Sequence, residues 1–260
     1  MAVSETTFQK IAGKKTQLMR GGSGPPLLYL HSAGGETDWY PFLNTLAERY
    51  TVHVPAHPGF ALSAGLDQIQ DMSDLAWHYV DLCDALRLEH VPVVGFSLGA
   101  WLAAELALLR PQLVDRLVLI AAVGLHVPGA PMAELFIDDL HQLRQLLFQD
   151  PHHPSVDRAL PTSLDDPRIL MWLRAREATA RIGWNPYLHN PKLSKHLHRV
   201  HCPSLVVWGR QDRLIPLAHG EFYAKQLPQA ELVIIENCGH MVPFERHAKC
   251  AELTLRFLDA

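Results

Sequence analysis

Short apolar runs alternate with helical patterns through most of the chain. Residues 6–20 predict two short antiparallel strands, and a Gly/Pro-rich loop follows at 21–26. Further apolar runs predict buried strands, at residues 27–30, 51–55, 91–94 and 117–121 and at the starts of segments 204–213 and 230–240. Helical periodicity lies between them, near residues 40–48, at 73–86 with Ser73 as the N-cap, after Ser97, and from about Pro216. This alternation through short connections indicates a parallel, doubly wound α/β sheet.

The alternation stops between residues 124 and 190. Phe136, Leu140, Leu143 and Leu147 recur at the spacing of one face of an amphipathic helix, and residues 169–181 predict a second helix. These patterns predict a core made of residues 1–123 and 191–260. A helical insertion, residues 124–190, would interrupt it after the sixth strand.

The composition is that of a globular enzyme-sized domain rather than a nucleic-acid or membrane protein. The chain has 260 residues, of which 48% are hydrophobic and 19% charged, typical of one α/β domain. A net charge of -4 gives no reason to expect nucleic acid or an anionic membrane as a partner. Residues 1–15 lack the apolar core of a signal peptide, and no run reaches the roughly 18 apolar residues of a membrane-spanning helix. We therefore expect a cytoplasmic monomer or homodimer.

Neither the cysteines nor the histidines have the spacing of a metal site. The four cysteines are scattered, and the group His196, His198 and His201 has no accompanying carboxylate or cysteine pattern. We expect no metal and no cofactor.

The most informative motif is Gly95-Phe96-Ser97-Leu98-Gly99, which lies between an apolar run and a helical pattern. A tight strand-to-helix turn of this composition exposes the central serine as a nucleophile. Ser97 is therefore the candidate nucleophile.

A serine hydroxyl needs a base, and the base needs an orienting acid. Asp212 and His240 each follow an apolar strand, and they occur in the order Ser…Asp…His that this type of site uses. The carboxyl ends of parallel strands share one edge of a sheet, so all three groups should converge there. Asp115 is a rival acid, but it lies at the opposite end of its predicted strand.

The small-residue loop 31–35 follows an apolar strand and predicts an oxyanion hole. We expect the backbone N–H groups of Leu98 and Ala33 to be its two donors. His31 is expected to order this loop through a backbone hydrogen bond and to take no proton during turnover.

These motifs, and nearly the whole length of the chain, resemble the α/β-hydrolase family. The resemblance implies a mostly parallel, twisted sheet with helices on both faces and a helical lid inserted after the sixth strand. Members usually have a glycine where this chain has Ser32. They also commonly carry an Asp-x-Pro-Gly-x-Gly-x-Ser stretch, of which residues 56–63 keep Pro58, Gly59 and Ser63.

A lid of this kind would cover the nucleophile and shape the substrate pocket. We expect the pocket to be lined by apolar side chains from the insertion and from beside the catalytic residues. These are Phe96, Phe136, Leu140, Leu143, Leu147, Trp172 and Met241. The lid arginines Arg174, Arg176 and Arg181 are expected at the surface, unless one meets an acidic substrate group.

The resemblance implies a carboxylesterase that acts on small, fairly apolar esters through an acyl-enzyme. A carbon–carbon bond hydrolase of ring-cleavage products shares the triad and lid. Those enzymes usually have asparagine before the nucleophile and an aromatic residue after the histidine, where this chain has Phe96 and Met241. Lactonase activity, or a receptor without catalysis, are further alternatives.

Overall fold

The computed structural model describes residues 4–36 and 38–260. Residues 1–3 of the predicted core lie outside the described residues. The eight strands form one sheet in the order β1-β2-β4-β3-β5-β6-β7-β8. They are β1 Ser4–Ile11, β2 Lys14–Gly21, β3 Pro26–Leu30, β4 Thr51–Pro55, β5 Val91–Phe96, β6 Val114–Ile120, β7 Ser204–Gly209 and β8 Ala230–Ile235. β1 and β2 pair antiparallel, as do β2 and β4, and all other pairs are parallel. The predicted mostly parallel sheet is confirmed.

Helices cover both faces of this sheet. They are α1 Pro41–Leu46, α2 Met72–Leu86, α3 Leu98–Leu109, α4 Leu140–Leu147, α5 Val156–Ala159, α6 Ile169–Gly183, α7 Leu193–His196, α8 Leu217–Gln226, α9 Val242–Glu245 and α10 His247–Leu258. α1 packs with α10, and α2 packs with α3. The central strands are therefore shielded from water, and Leu27 to Leu30 have no exposed surface.

The predicted N-cap of α2 is wrong by two residues. The cap is Asp71, whose Oδ1 accepts hydrogen bonds from Ser73 N at 2.8 Å and Asp74 N at 3.0 Å. A carboxylate satisfies two N–H groups of the first turn and also interacts favourably with the positive end of the helix. Ser73 therefore lies inside the helix.

The chain between β6 and β7, which the structure describes throughout, contains helices α4 to α7 and no strand. The predicted helical insertion, residues 124–190, lies within this part of the chain. Its first predicted helix starts later than expected, because Asp139 caps α4 by accepting from His141 N and Gln142 N. Phe136 precedes that cap and is not helical, which corrects the predicted periodicity. Its ring lies 5.5 Å from that of Trp184 instead.

No helix among the described residues has both the length and the apolar composition needed to cross a membrane. What the sheet provides for function is its carboxyl edge. Strands β3, β5, β7 and β8 run in the same direction, so the loops that follow them all open onto that edge.

Candidate active site

Ser97 occupies the turn between β5 and α3, with φ of 54° and ψ of −110°. A non-glycine residue rarely adopts this conformation, and the surroundings must hold it there. The flanking glycines allow the necessary close packing. A Cβ at Gly99 would overlap the backbone carbonyls of Leu30 and His31, and one at Gly95 would overlap Gly99. The turn thus keeps the Ser97 hydroxyl at the carboxyl edge.

His240 links the serine to a carboxylate. Its Nε2 lies 3.0 Å from Ser97 Oγ, and its Nδ1 lies 2.8 Å from Asp212 Oδ2. All three residues are buried, with at most 8% of their surface exposed. The structure therefore brings the three predicted catalytic side chains together in one hydrogen-bonded row. Asp115 is instead paired with His90 at 3.0 Å, and the His90 side chain of this pair is largely exposed to solvent.

The Asp212 carboxylate is held from its far side. Its Oδ1 accepts hydrogen bonds from Leu214 N at 2.9 Å and Ile215 N at 2.8 Å. The loop that carries it packs tightly on the His240 loop, since a Cβ at Gly209 would overlap the Gly239 carbonyl. Oδ2 is left for the imidazole, so the carboxylate favours the tautomer with a proton on Nδ1.

Glu245 supports the His240 loop and was not predicted from the sequence. This buried carboxylate accepts from Gly239 N at 2.6 Å and, through its other oxygen, from Asp150 N at 3.0 Å. Met241 N donates to Leu147 O at 3.1 Å. The insertion and the histidine loop are therefore joined directly by hydrogen bonds.

Of the two predicted oxyanion donors, one follows Ser97 in the sequence and the other lines the same cavity. Leu98 is the first residue of α3, so its N–H has no partner within the helix. Ala33 lines the same cavity as Ser97. The carbonyl of Ser32, which belongs to the same peptide bond as the Ala33 N–H, accepts from His31 Nδ1 at 2.8 Å and from Gly35 N at 3.1 Å.

His31 joins this loop to His57 through hydrogen bonds. Its Nε2 accepts from His57 N at 3.0 Å, while His57 Nε2 donates to the His31 carbonyl at 3.0 Å. The two rings stack with centroids 3.7 Å apart. Burial lowers the pKa of His31 to about 4, so the ring is neutral at physiological pH. This geometry suits the predicted role in ordering the loop.

A cavity of about 40 Å³ is lined by Ser97 and His240. Five of the predicted pocket residues line it: Phe136, Leu143, Leu147, Trp172 and Met241. Phe96 and Leu140 do not, which corrects the prediction at these two positions. Phe96 has no exposed surface and packs beneath the His240 ring, with centroids 5.6 Å apart, and Leu140 is half-buried on α4 outside the cavity.

Polar groups also reach this cavity from α6. Trp172, Arg176 and Thr179 face it from successive helical turns, and Thr179 Oγ1 donates to the Ala33 carbonyl at 3.3 Å. Their i, i+4, i+7 spacing is a sequence signal for one helical face, of which the prediction placed only Trp172 in the pocket. Glu36 is a further lining residue that the sequence did not single out.

Arg176 is the one predicted lid arginine that lies on this cavity. Its guanidinium donates to the carbonyls of Leu135 and Ile137, each at 3.2 Å, and lies 4.6 Å from the Trp172 ring centroid. Burial lowers its pKa from the ordinary value. Arg174 is exposed, as expected.

A second cavity of about 100 Å³ adjoins the first. Both are lined by Gly34, Glu36, Ala159, Leu160 and Trp172. Burial raises the pKa of Glu36 above its ordinary value, and hydrogen bonds from Ser32 oppose that shift. A buried carboxyl group therefore lies where the two cavities meet.

Within residues 4–36 and 38–260, the structure contains no group of three or more side chains arranged to hold a metal ion. The arrangement beside Ser97 offers a hydroxyl, an imidazole, a carboxylate and two backbone N–H groups. These are the parts that nucleophilic acyl transfer needs.

Comparison with known proteins agrees with this architecture. The family model described as alpha/beta hydrolase fold matches residues 25–247. A 2-hydroxymuconate semialdehyde hydrolase from Pseudomonas putida is 30% identical, covering 95% of this chain and 92% of the relative. A pimeloyl-[acyl-carrier protein] methyl ester esterase from Nitrosomonas europaea is 29% identical over 86% of this chain and 91% of its own length.

Solved structures show the same fold. A 2-hydroxy-6-oxo-6-phenylhexa-2,4-dienoate hydrolase from Rhodococcus superposes with a TM-score of 0.83 at 22% identity, and each chain is covered completely, at 100%. A bacterial membrane phospholipase A superposes with a TM-score of 0.81 at 25% identity, covering 98% of this chain and 86% of that one.

Proposed function

Because the chain belongs to the α/β-hydrolase family, we propose that it is a serine hydrolase that cleaves carboxylic esters of small, fairly apolar substrates. The observation that carries this proposal is the row of hydrogen bonds from Ser97 Oγ through His240 to Asp212. A buried imidazole in this position can accept the serine proton as the hydroxyl attacks a carbonyl carbon.

Acylation starts with that attack. His240 Nε2 takes the Ser97 proton, and Asp212 stabilises the imidazolium that forms. The carbonyl oxygen becomes negatively charged and accepts hydrogen bonds from the N–H groups of Leu98 and Ala33, whose pre-set orientation lowers the barrier. His240 then protonates the departing alcohol, and the acyl group stays on Ser97.

Deacylation uses the same groups in reverse order. His240 removes a proton from water, the hydroxide attacks the acyl carbon, and the carboxylic acid leaves as Ser97 regains its proton. No step in this sequence requires a cofactor.

In this proposal the helical insertion, residues 124–190, serves as the lid, and residues 1–123 and 191–260 form the core. Leu143, Leu147 and Trp172 give the cavity an apolar wall, which suits an uncharged acyl chain better than a charged one. The buried position of Ser97 means that substrate reaches it through this lined space.

The proposal is tested with purified protein and p-nitrophenyl esters from acetate to octanoate. We expect hydrolysis of the short esters and labelling by a fluorophosphonate probe, and Ser97→Ala should lose both. Hydrolysis that persists undiminished in Ser97→Ala would refute the assignment of the nucleophile. A ligand-induced rise in Tm with neither turnover nor labelling would favour a receptor.

Carbon–carbon bond hydrolysis is the second candidate, and Arg176 is the observation that favours it. The guanidinium lies on the cavity above the serine, where it could pair with a carboxylate of a ring-fission product. The relative from Pseudomonas putida is named for such a substrate. Phe96 and Met241 stand where such enzymes usually have asparagine and an aromatic residue, which favours the ester.

Arg176→Met separates the two candidates. If substrate carries a carboxylate, this change should lower kcat/KM for a dienoic ring-fission product by about 100-fold or more, since a charge-assisted bidentate pair is lost. For a neutral ester we expect a change of less than about threefold. Arg174→Met, an exposed arginine on the same helix, is the matched control.

A further inference from the structure

Ser32 departs from the glycine that is usual at its position, and its side chain has a specific partner. The Ser32 hydroxyl lies 2.5 Å from Glu36 Oε1, and Ser32 N donates to Glu36 Oε2 at 3.0 Å. The same hydroxyl accepts from Gly34 N at 3.0 Å. We call this arrangement the Ser32–Glu36 clamp.

The loop is built around the carboxyl group of Glu36. A Cβ at Gly34 would overlap Glu36 Oε1, so a side chain at position 34 would displace the carboxyl from this place. Glu36 is 9% exposed and lines the cavity that contains Ser97. A carboxyl group in such surroundings is costly unless hydrogen bonds compensate, and the two donors of Ser32 supply them.

The clamp holds the residue at the start of the peptide bond that carries the second oxyanion donor. Because a peptide unit is planar, the direction of the Ala33 N–H is set by whatever holds the Ser32 side of the unit. The Ser32 carbonyl accepts from His31 and Gly35, while Glu36 holds the Ser32 N–H and hydroxyl. Without Glu36, only the two bonds to the Ser32 carbonyl would remain to set the direction of this peptide.

We propose that Glu36 is a positioning residue, which acts through Ser32 to aim the Ala33 N–H at the oxygen that becomes negatively charged in the reaction. This inference rests on the proposed serine hydrolase function, but not on whether the substrate is an ester. Both carboxyl oxygens of Glu36 accept from Ser32, so its proposed effect runs through Ser32.

The test measures the rate at which a fluorophosphonate probe labels Ser97, in wild type, Glu36→Ala, Glu36→Gln, Ser32→Gly and the double variant Ser32→Gly/Glu36→Ala. Glu36→Gln keeps one acceptor oxygen and the shape of the side chain. The control is Glu105→Ala. Glu105 is a half-buried carboxylate that accepts from Trp101 Nε1 and Asn190 Nδ2, away from the cavity.

We expect Glu36→Ala to label about 10- to 100-fold more slowly, which is less than the roughly 10²- to 10³-fold loss on removing an oxyanion donor outright. Glu36→Gln should recover most of this rate, and Ser32→Gly should also be slow. The double variant should be no slower than the slower single variant, because both changes break one unit. Glu105→Ala should lower Tm without changing the labelling rate.

A second readout distinguishes positioning from general weakening of the fold. A trifluoromethyl ketone forms a serine adduct whose oxyanion uses the same donors, so its inhibition constant should rise by the factor by which labelling falls. For any ester that wild type cleaves, kcat should fall while KM stays within about twofold.

Folded Glu36→Ala or Ser32→Gly that labels at the wild-type rate would overturn the clamp. So would a double variant whose loss equals the product of the two single losses. If Glu36→Ala does not fold, Glu36→Gln and Ser32→Gly decide the question in the same way. A wild-type protein that does not label at all would instead overturn the proposed function, and the clamp with it.

Discussion

Replacing Asp212 by asparagine should move the imidazole proton of His240 from Nδ1 to Nε2, while the loop that carries residue 212 stays intact. The carboxylate oxygen Oδ1 accepts two backbone N–H groups, from Leu214 and Ile215. Only the carbonyl oxygen of asparagine can accept them, so its NH₂ group must take the place of Oδ2 and point at His240 Nδ1. The imidazole then has to accept at Nδ1 and carry its proton on Nε2, facing Ser97.

A histidine with its proton on Nε2 cannot accept the proton of the serine. In chymotrypsin-type proteases the same substitution lowers kcat by about 10⁴, or about 5 kcal/mol of transition-state stabilisation. We expect a loss of that order for Asp212→Asn. The cost in stability should be only about 1–2 kcal/mol, because both backbone donors keep an acceptor and only the charge assistance is lost.

The assay compares kcat/KM for a p-nitrophenyl ester with the free energy of unfolding in urea. Asp115→Asn is the matched control, since Asp115 is a half-buried carboxylate at the other end of its strand, and it should change neither quantity measurably. If Asp212→Asn retained activity within about tenfold of wild type, the orientation argument would fail.

Three further predictions concern the turn, the cavity and a buried histidine. Ser97→Gly should be more stable than Ser97→Ala by about 1 kcal/mol in chemical denaturation, because glycine adopts the φ of 54° without steric cost. Equal stabilities would contradict this. Leu143→Ala should shift the preference from acetate toward octanoate esters by up to about tenfold, since it enlarges the cavity. An unchanged ratio would exclude Leu143 from the acyl site. Burial, together with Lys14, lowers the pKa of His78 to about 4, and neither ring nitrogen has a hydrogen-bond partner among the described residues. As the pH falls, His78 is therefore protonated in the unfolded chain before it is protonated in the folded protein. The stability contributed by neutral His78 is full above about pH 6.5 and is lost as the pH falls toward 4. His78→Phe should accordingly exceed wild type by on the order of 1 kcal/mol in urea at pH 5, with a smaller difference at pH 8. A His78→Phe variant that is less stable than wild type at both pH values would contradict the destabilising effect assigned to the buried His78 ring.

Local signals in the sequence determine the succession of strands along the chain and the three residues of the hydrogen-bonded row, Ser97, His240 and Asp212. Each of these residues can be identified from a short-range pattern: the Gly-x-Ser-x-Gly turn for the serine, and a polar residue just after an apolar strand for the other two. Parallel strands then bring such strand ends to one edge, whatever the details of packing. The same argument excluded Asp115, and the structure places it away from the site.

Helix starts and pocket walls depend on contacts between distant segments. The periodicity of the insertion included Phe136, but the cap at Asp139 starts α4 after it. Leu140 belongs to the predicted apolar face and still misses the cavity, because the position of α4 relative to the core decides which side chains reach Ser97. A spacing rule describes one helix and contains no information about that position.

Buried polar groups were the least predictable, for an energetic reason. Glu36, Glu245 and Arg176 are charged residue types that a sequence reading assigns to the surface. Their burial is tolerated because hydrogen bonds satisfy them. Ser32 donates to Glu36, Gly239 and Asp150 donate to Glu245, and Arg176 donates to carbonyls before α4. The sequence alone therefore determined the fold class and the positions of the nucleophile, base and acid. Tertiary structure alone decided which polar side chains orient them and what shape of substrate the cavity admits, because those depend on hydrogen bonds that exist only once the insertion is packed on the sheet.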